Sequence, residues 1–199
     1  MNITVYCGSN PGHNQHFKDA AKALGEWIAN EGHTLVYGGS SVGLMGIVSQ
    51  TVLDLGGTVI GVEPRFFIEA GVAQHDLTEL HVVETMNERK AKMIELGEIF
   101  ITLPGGIGTL EEVSEIMSRI RLGLGPSTCF LLNIDHFYDS FKNYLHDMID
   151  AGFLDQVDLD RYHFVDSIEE LAVLLDQEQA NPTERFATAA ELNPVTTQR

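Results

Sequence analysis

Short apolar runs alternate with segments whose apolar residues recur at helical spacing along most of this chain. Ile3-Thr4-Val5-Tyr6-Cys7 is β-rich and stops at Gly8-Ser9-Asn10-Pro11-Gly12, which predicts a strand and its loop. Phe17, Ala20, Ala21, Leu24, Trp27 and Ile28 then share one helical face, and Gly32 closes that helix. Thr34-Leu35-Val36-Tyr37 reads as the second strand, followed by the glycine turn 38–46 and a helix through Leu55. Thr58–Val62 and Leu80–Glu84 read as further strands, with an irregular or short helical stretch over Pro64–Gly71. Thr85-Met86-Asn87-Glu88 has the capping-box spacing, a hydroxyl followed three residues later by a carboxylate, and predicts a helix through Gly97. Ile99–Leu103 is a buried strand leading into Pro104-Gly105-Gly106-Ile107-Gly108-Thr109 and a helix over Leu110–Arg121. Ser127–Ile134 predicts another strand, and Phe137–Ala151 and Ser167–Gln177 predict helices. The acidic stretch Val157–Val165 between them has no clear period.

Strands alternating with helices imply an α/β fold, a Rossmann-like, doubly wound parallel sheet in a single domain. In such sheets ligands bind at the carboxyl ends of the strands. The glycine-bearing loops at Gly8-Ser9, at Gly38-Gly39-Ser40 and over 104–109 all fall at predicted strand ends and are expected to converge there. Glycines let backbone approach a ligand, and the first amides of a helix have no internal partners, so such a loop favours phosphate. No Gly-Lys-Ser/Thr follows, so it is not a Walker A loop, and it does not match Gly-x-Gly-x-x-Gly.

Length and composition narrow the reading. The 199 residues, 44% of them apolar, suffice for one α/β domain, expected over 1–179 with a polar, loose tail over 180–199. The net charge of −17 argues against nucleic acid or anionic lipid as partners and confines an anionic substrate to a local positive patch. Cys7 and Cys129 read as buried thiols of a reducing compartment. The eight histidines show no zinc spacing, so no metal or other cofactor is expected. The first residues run straight into a strand without a basic leader, and no apolar run is long enough to span a bilayer, which points to a cytoplasmic protein.

Two groups of residues could carry chemistry. Glu111 and Glu112 follow the glycines directly. Thr109-Leu110-Glu111-Glu112 is itself a capping-box pattern, so Glu112 either caps its own helix or points into the crevice, where a carboxylate could stabilise a cation or activate water. Met86, Arg89, Lys90 and Met93 share a helical face, and with Lys92 they form the densest positive cluster of the chain. They are either a solvated face paired with Glu88 and Glu95, or a partly buried face that recognises phosphate. Ser9, Ser40 and Ser41 lack the Gly-x-Ser-x-Gly elbow of a nucleophile and read as capping residues or ligand contacts. Glu115 and Arg119 form an ordinary i, i+4 pair.

Met86-Asn87-Glu88-Arg89-Lys90 followed by Pro104-Gly105-Gly106-Ile107-Gly108-Thr109-Leu110-Glu111-Glu112 resembles the paired signature of the LOG family, the cytokinin riboside 5′-monophosphate phosphoribohydrolases, long mislabelled as lysine decarboxylases. The Tyr37-Gly38-Gly39 turn, Gly43-Leu44-Met45-Gly46 and Gly61-Val62-x-Pro64 fit as well, and the likeness runs from about Ile3 to about Leu175. The resemblance implies a usually dimeric hydrolase of the N-glycosidic bond of adenosine-type 5′-monophosphates, a cytokinin riboside monophosphate or AMP, yielding free base and ribose 5-phosphate. It implies catalytic roles for Arg89 and Glu112. It implies substrate contacts at Arg89, Lys90, the Gly105–Glu111 loop and Ser118, with Ser9, Gly39, Ser40 and Met86 as further expected contacts. The chain departs from the family pattern at Asn87, at Ser40 and over Ser118-Arg119-Ile120-Arg121, positions that bear on base preference. A non-catalytic nucleotide or molybdenum-cofactor carrier of the same fold is the alternative. Lysine decarboxylation is disfavoured, because no pyridoxal-lysine context is present.

Overall fold

The β-rich runs pair into one sheet of seven parallel strands in a computed structural model that describes residues 1–187. The strands are β1 (Asn2–Tyr6), β2 (Thr34–Tyr37), β3 (Thr58–Pro64), β4 (Glu79–Val83), β5 (Ile99–Thr102), β6 (Cys129–Leu132) and β7 (Tyr162–Val165). The helices are α1 (Gln15–Asn30), α2 (Gly43–Asp54), α3 (Arg65–Glu69), α4 (Met86–Leu96), α5 (Ile107–Arg121), α6 (Asp139–Asp150), α7 (Gln156–Leu159) and α8 (Ile168–Ala180), with a 3-10 turn at Ile134–His136.

The strand order is β4-β3-β2-β1-β5-β6-β7. From β1 the chain steps outward through β2, β3 and β4, then returns to β5 beside β1 and steps outward the other way. This is the doubly wound α/β arrangement expected from the alternation of elements. The reversal falls between β1 and β5, paired in parallel from Ile3↔Ile99 to Tyr6↔Thr102. There the loops after the two strands diverge and leave a crevice.

Successive strand residues point to opposite faces, so each strand feeds two cores. Ile3, Val5, Leu35, Tyr37, Ile101 and Phe130 pack with α1, α2 and α8 on one face. Tyr6, Val62, Phe100 and Leu131 pack with α4, α5 and α6 on the other. The buried Thr4 hydroxyl donates to the Met93 carbonyl at 3.1 Å and ties α4 to the central strand. Both cysteines are buried and unoxidised, Cys129 inside β6 and Cys7 one residue past β1.

The structure differs from the sequence reading most in three places, and it also trims the strand expected over Ser127–Ile134 to Cys129–Leu132. The unassigned acidic stretch supplies α7 and the edge strand β7, whose ladder to β6 runs from Cys129↔Tyr162 to Leu132↔Val165. Strand β3 extends to Pro64, two residues further than expected. Helix α5 begins at Ile107 rather than Leu110, because Gly106 takes the N-cap position. By contrast, the Thr85–Glu88 capping box forms in full at the head of α4. Beyond α8, Arg185 donates to the Gly123 carbonyl at 3.1 Å, and the Arg161 guanidinium lies 3.7 Å from the Phe186 ring centre. The remainder of the expected loose tail, 188–199, lies outside the described residues.

Candidate active site

Helix α5 meets the crevice with an uncapped N-terminus. Gly106 is its N-cap and has no side chain to offer, and the first intrahelical bond runs from Leu110 N to the Gly106 carbonyl at 3.0 Å. The amides of Ile107, Gly108 and Thr109 precede that bond and are left for an anion, with the positive end of the helix dipole behind them. The loop is fixed on both sides. Gly8 N donates to the Pro104 carbonyl at 3.1 Å, Leu44 N donates to the Gly8 carbonyl at 3.0 Å, and the buried Tyr138 hydroxyl donates to the Leu103 carbonyl at 2.8 Å.

Because α5 starts at Ile107, Thr109 is its third residue and Glu112 lies in its second turn. Glu112 therefore does not belong to a capping box at this helix, and the alternative holds: its side chain, 11% exposed, lines the cleft and faces Arg89. Arg89 is not a solvated residue either. It is buried on α4, with Nε donating to the Val62 carbonyl at 3.2 Å and one terminal nitrogen donating to the Gly38 carbonyl at 3.0 Å. Its other terminal nitrogen, Nη1, is 3.7 Å from Glu112 Oε1. The guanidinium thus bridges the ends of β2 and β3 to the carboxylate on α5. Gly38 makes this possible, since a Cβ there would overlap the Arg89 guanidinium.

The cleft holds about 510 Å³. Ser9, Ser40, Met86, Arg89, Gly106, Ile107, Gly108, Thr109, Glu111 and Glu112 line it, so most of the expected site residues come together. Gly39, Lys90, Gly105, Leu110 and Ser118 do not line it. Gly105 lines an adjoining hollow with Gly8, Ser9 and Asn10. Lys90 is held by acidic residues of α5, with Nζ 2.8 Å from Glu111 and 3.3 Å from Glu115. Ser118 is exposed further along α5. The Ser40 and Ser41 hydroxyls both donate to the Val72 carbonyl, at 3.2 and 3.0 Å, and pin the segment after α3 over the cleft.

Sequence reasoning missed Glu63. This carboxylate is the second-last residue of β3, lines the cleft, and is 1% exposed. Its room comes from Gly39, which sits at φ +84° and whose missing Cβ would overlap the Glu63 carboxylate. The signal was present as a charge inside the apolar run Val59-Ile60-Gly61-Val62-Glu63-Pro64. Burial raises both carboxyls of the cleft, Glu63 and Glu112, to about 7, with Arg89 opposing the shift in each case. Val42, Met45, Phe67 and Val72 give the same cleft an apolar wall. Such a cleft can hold a phosphate at its helix end, a flat apolar ring along its wall, and a reacting bond between two titrating carboxyls. Among the described residues no group of three or more His, Cys, Asp or Glu side chains is placed to hold a metal ion. No helix among them is long and apolar enough to cross a membrane.

A family model described as "possible lysine decarboxylase" matches residues 45–175. The cytokinin riboside 5′-monophosphate phosphoribohydrolase of Rhodococcoides fascians is 45% identical over 153 residues, covering 76% of this chain and 77% of that protein. The cytokinin riboside 5′-monophosphate phosphoribohydrolase LOG of Oryza sativa subsp. japonica is 43% identical over 152 residues, covering 76% of this chain and 63% of the rice protein, just under two thirds of it. Among solved structures, the molybdenum cofactor binding protein of Rippkaea orientalis superposes with a TM-score of 0.66 over 88% of this chain and 95% of that one, at 23% identity. At that identity the likeness shows the fold alone.

The sequence relatives define the class as an N-glycosidase-type hydrolase on a parallel α/β sheet. Within that class the chain belongs to the LOG family, the cytokinin riboside 5′-monophosphate phosphoribohydrolases. The decarboxylase wording of the family description is not matched by the names of these relatives.

Proposed function

We propose that the protein hydrolyses the N-glycosidic bond of adenosine-type nucleoside 5′-monophosphates, a cytokinin riboside monophosphate or AMP, to free base and ribose 5-phosphate. The observation that carries this reading is the buried Arg89–Glu112 pair set one helical turn from an uncapped, glycine-led helix N-terminus. The 5′-phosphate lies on the amides of Ile107, Gly108 and Thr109, with the Thr109 hydroxyl helping. Breaking the ribosyl–base bond builds positive charge on the sugar, as in glycoside hydrolysis. Glu112 stabilises that charge and accepts the proton of the attacking water. Arg89 holds Glu112 in place, opposes the neutralising effect of its burial, and reaches the substrate from the same side. Lys90 acts by holding Glu111 and Glu115 on the rim of the cleft.

A relative named as a molybdenum cofactor binding protein shares the fold, but the closer sequence relatives favour the hydrolase over a carrier. The test is to incubate the protein with AMP and with isopentenyladenosine monophosphate and to look for free base by chromatography. The hydrolase reading expects base from at least one of them. Tight nucleotide binding with no base from either would favour the carrier.

The phosphate position has its own test in Gly108→Ala. A Cβ at Gly108 meets no protein atom within 4 Å, and the residue lies in the first turn of α5. Alanine is the better helix former by about 1 kcal/mol, so the variant should melt at the same temperature as the parent or slightly higher. The added methyl enters the space where the phosphate sits, so KM for the nucleotide should rise about tenfold, the equivalent of ~1.4 kcal/mol. An unchanged KM would move the phosphate away from α5.

A further inference from the structure

We propose that Glu63 is a further catalytic residue of this cleft, the acid that delivers a proton to the departing base. This rests on the hydrolase reading above and completes it, because Glu112 alone accounts for the water but not for the leaving group.

The geometry points to Glu63 in several ways. Its Oε2 is buried, and among the described residues it has no hydrogen-bond partner. An unsatisfied buried polar atom is costly, so its retention at the floor of a cleft calls for a ligand that uses it. The fold also makes room for it, through the glycine at position 39.

Charge divides the roles of the two carboxyls. The cleft buries Glu63 and Glu112 with one guanidinium between the strand ends and α5. The charge-bearing nitrogens of Arg89 go to the Val62 and Gly38 carbonyls and to Glu112, and none makes a hydrogen bond or ion pair with Glu63. One positive charge can offset one carboxylate, and burying a second unpaired one is costly. Glu112 therefore carries the charge, and Glu63 keeps the proton. The other titratable groups facing this region are Tyr37 on β2, Tyr6 at the end of β1, Cys7 after it, and Glu111 on α5, which is paired with Lys90; burial pushes the two tyrosines and the thiol up, so they stay neutral. Burial raises Glu63 itself to about 7, which leaves a substantial protonated fraction at neutral pH.

The step then balances. The C1′–N9 bond breaks, and its electron pair passes into the purine. Purine N7 takes the Glu63 proton. The water oxygen bonds to C1′ and gives its proton to Glu112. Exchange with solvent returns one proton to Glu63 and removes one from Glu112. A carboxyl in this position can also accept from the exocyclic N–H of an adenine while donating to N7, so it favours 6-aminopurines, including N6-substituted ones that keep one N–H.

The experiment compares AMP with 4-nitrophenyl riboside 5-phosphate, whose leaving group departs without protonation. For Glu63→Gln, kcat on AMP should fall by about a hundredfold or more, the usual contribution of a general acid, while kcat on the nitrophenyl substrate stays within a few-fold of the parent. A merely structural residue would lower both together, and that result, or an AMP rate within threefold of the parent, would overturn the assignment. A measurement on the unaltered protein covers the case in which the variant does not fold. Its kcat on AMP should fall as pH rises through about 7 to 8, and its kcat on the nitrophenyl substrate should not. An alkaline fall of equal size with both substrates, or with neither, overturns the role of Glu63. No base from the unaltered protein on AMP or on isopentenyladenosine monophosphate would instead overturn the hydrolase reading.

Discussion

Glu112→Gln should lower kcat on the nucleotide substrate by about a thousandfold, within the range expected for losing a positioned base and a charge aimed at the transition state. It should leave nucleotide affinity within a few-fold, and it should cost less stability than loss of Arg89, because the Arg89 hydrogen bonds to the Val62 and Gly38 carbonyls remain. The separation follows from where Glu112 sits. It lies in the second turn of α5, past the amides that would hold phosphate, so binding does not depend on it. Its carboxylate is already disfavoured by burial, and glutamine keeps the same shape and an oxygen that can still face Arg89 Nη1 across 3.7 Å. Had Glu112 merely capped its helix, glutamine, which completes a capping box as glutamate does, would leave turnover largely intact. Kinetics of the one variant distinguish these outcomes. The acid side of the rate profile carries the same information. Glu112 must be ionised to work, and burial places it at about 7, so kcat should rise with pH up to that region.

Arg89→Ala should cost both activity and stability. Its guanidinium satisfies the Val62 and Gly38 carbonyls at the ends of β3 and β2 and pairs with the nearly buried Glu112. Removing one partner of a buried pair leaves an uncompensated charge and typically costs about 3–5 kcal/mol. The sign of the pH dependence is fixed by Glu112. Without Arg89 its carboxyl rises further above the unfolded value, so the native state of the variant binds more protons than the unfolded chain. Stability of the variant is then fully present at low pH and is lost as pH rises through the raised value. The loss relative to the parent should be larger at pH 8.5 than at pH 6, measured by urea unfolding. Activity should fall at least a hundredfold at both. Arg89→Lys keeps the charge but cannot fork to two carbonyls and a carboxylate at once. It should recover much of the stability and little of the activity. A variant that unfolds at the parent's urea midpoint at pH 8.5 would show that Arg89 is not the buried bridge described above.

The elements with a strong period were legible in the sequence. Strand β2 has the expected bounds, and the Thr85–Glu88 box marks the head of α4, because both signals are local. What was not legible depends on tertiary context. Strand β7 is four residues at the sheet edge, and its inner positions His163 and Phe164 are only half-buried, so it shows neither clean alternation nor a continuous apolar run. The start of α5 hinges on Gly106 acting as N-cap, and glycine carries little capping signal beside the Thr109-x-x-Glu112 pattern that competes with it. That competition makes the role of Glu112 ambiguous from the sequence alone. Glu63 was hidden for a different reason. A charge near the end of a strand reads as a strand terminus, and nothing local shows that Gly39, Arg89 and α5 close around it.

The most direct measurement is the product balance from one incubation with isopentenyladenosine monophosphate, with base, nucleoside, ribose 5-phosphate and inorganic phosphate quantified together. Scission at C1′ beside Glu112 predicts free base and ribose 5-phosphate in equal amounts, with no nucleoside and no inorganic phosphate released. Nucleoside with inorganic phosphate, or nucleotide that is bound and recovered intact both here and in a matching incubation with AMP, would contradict it.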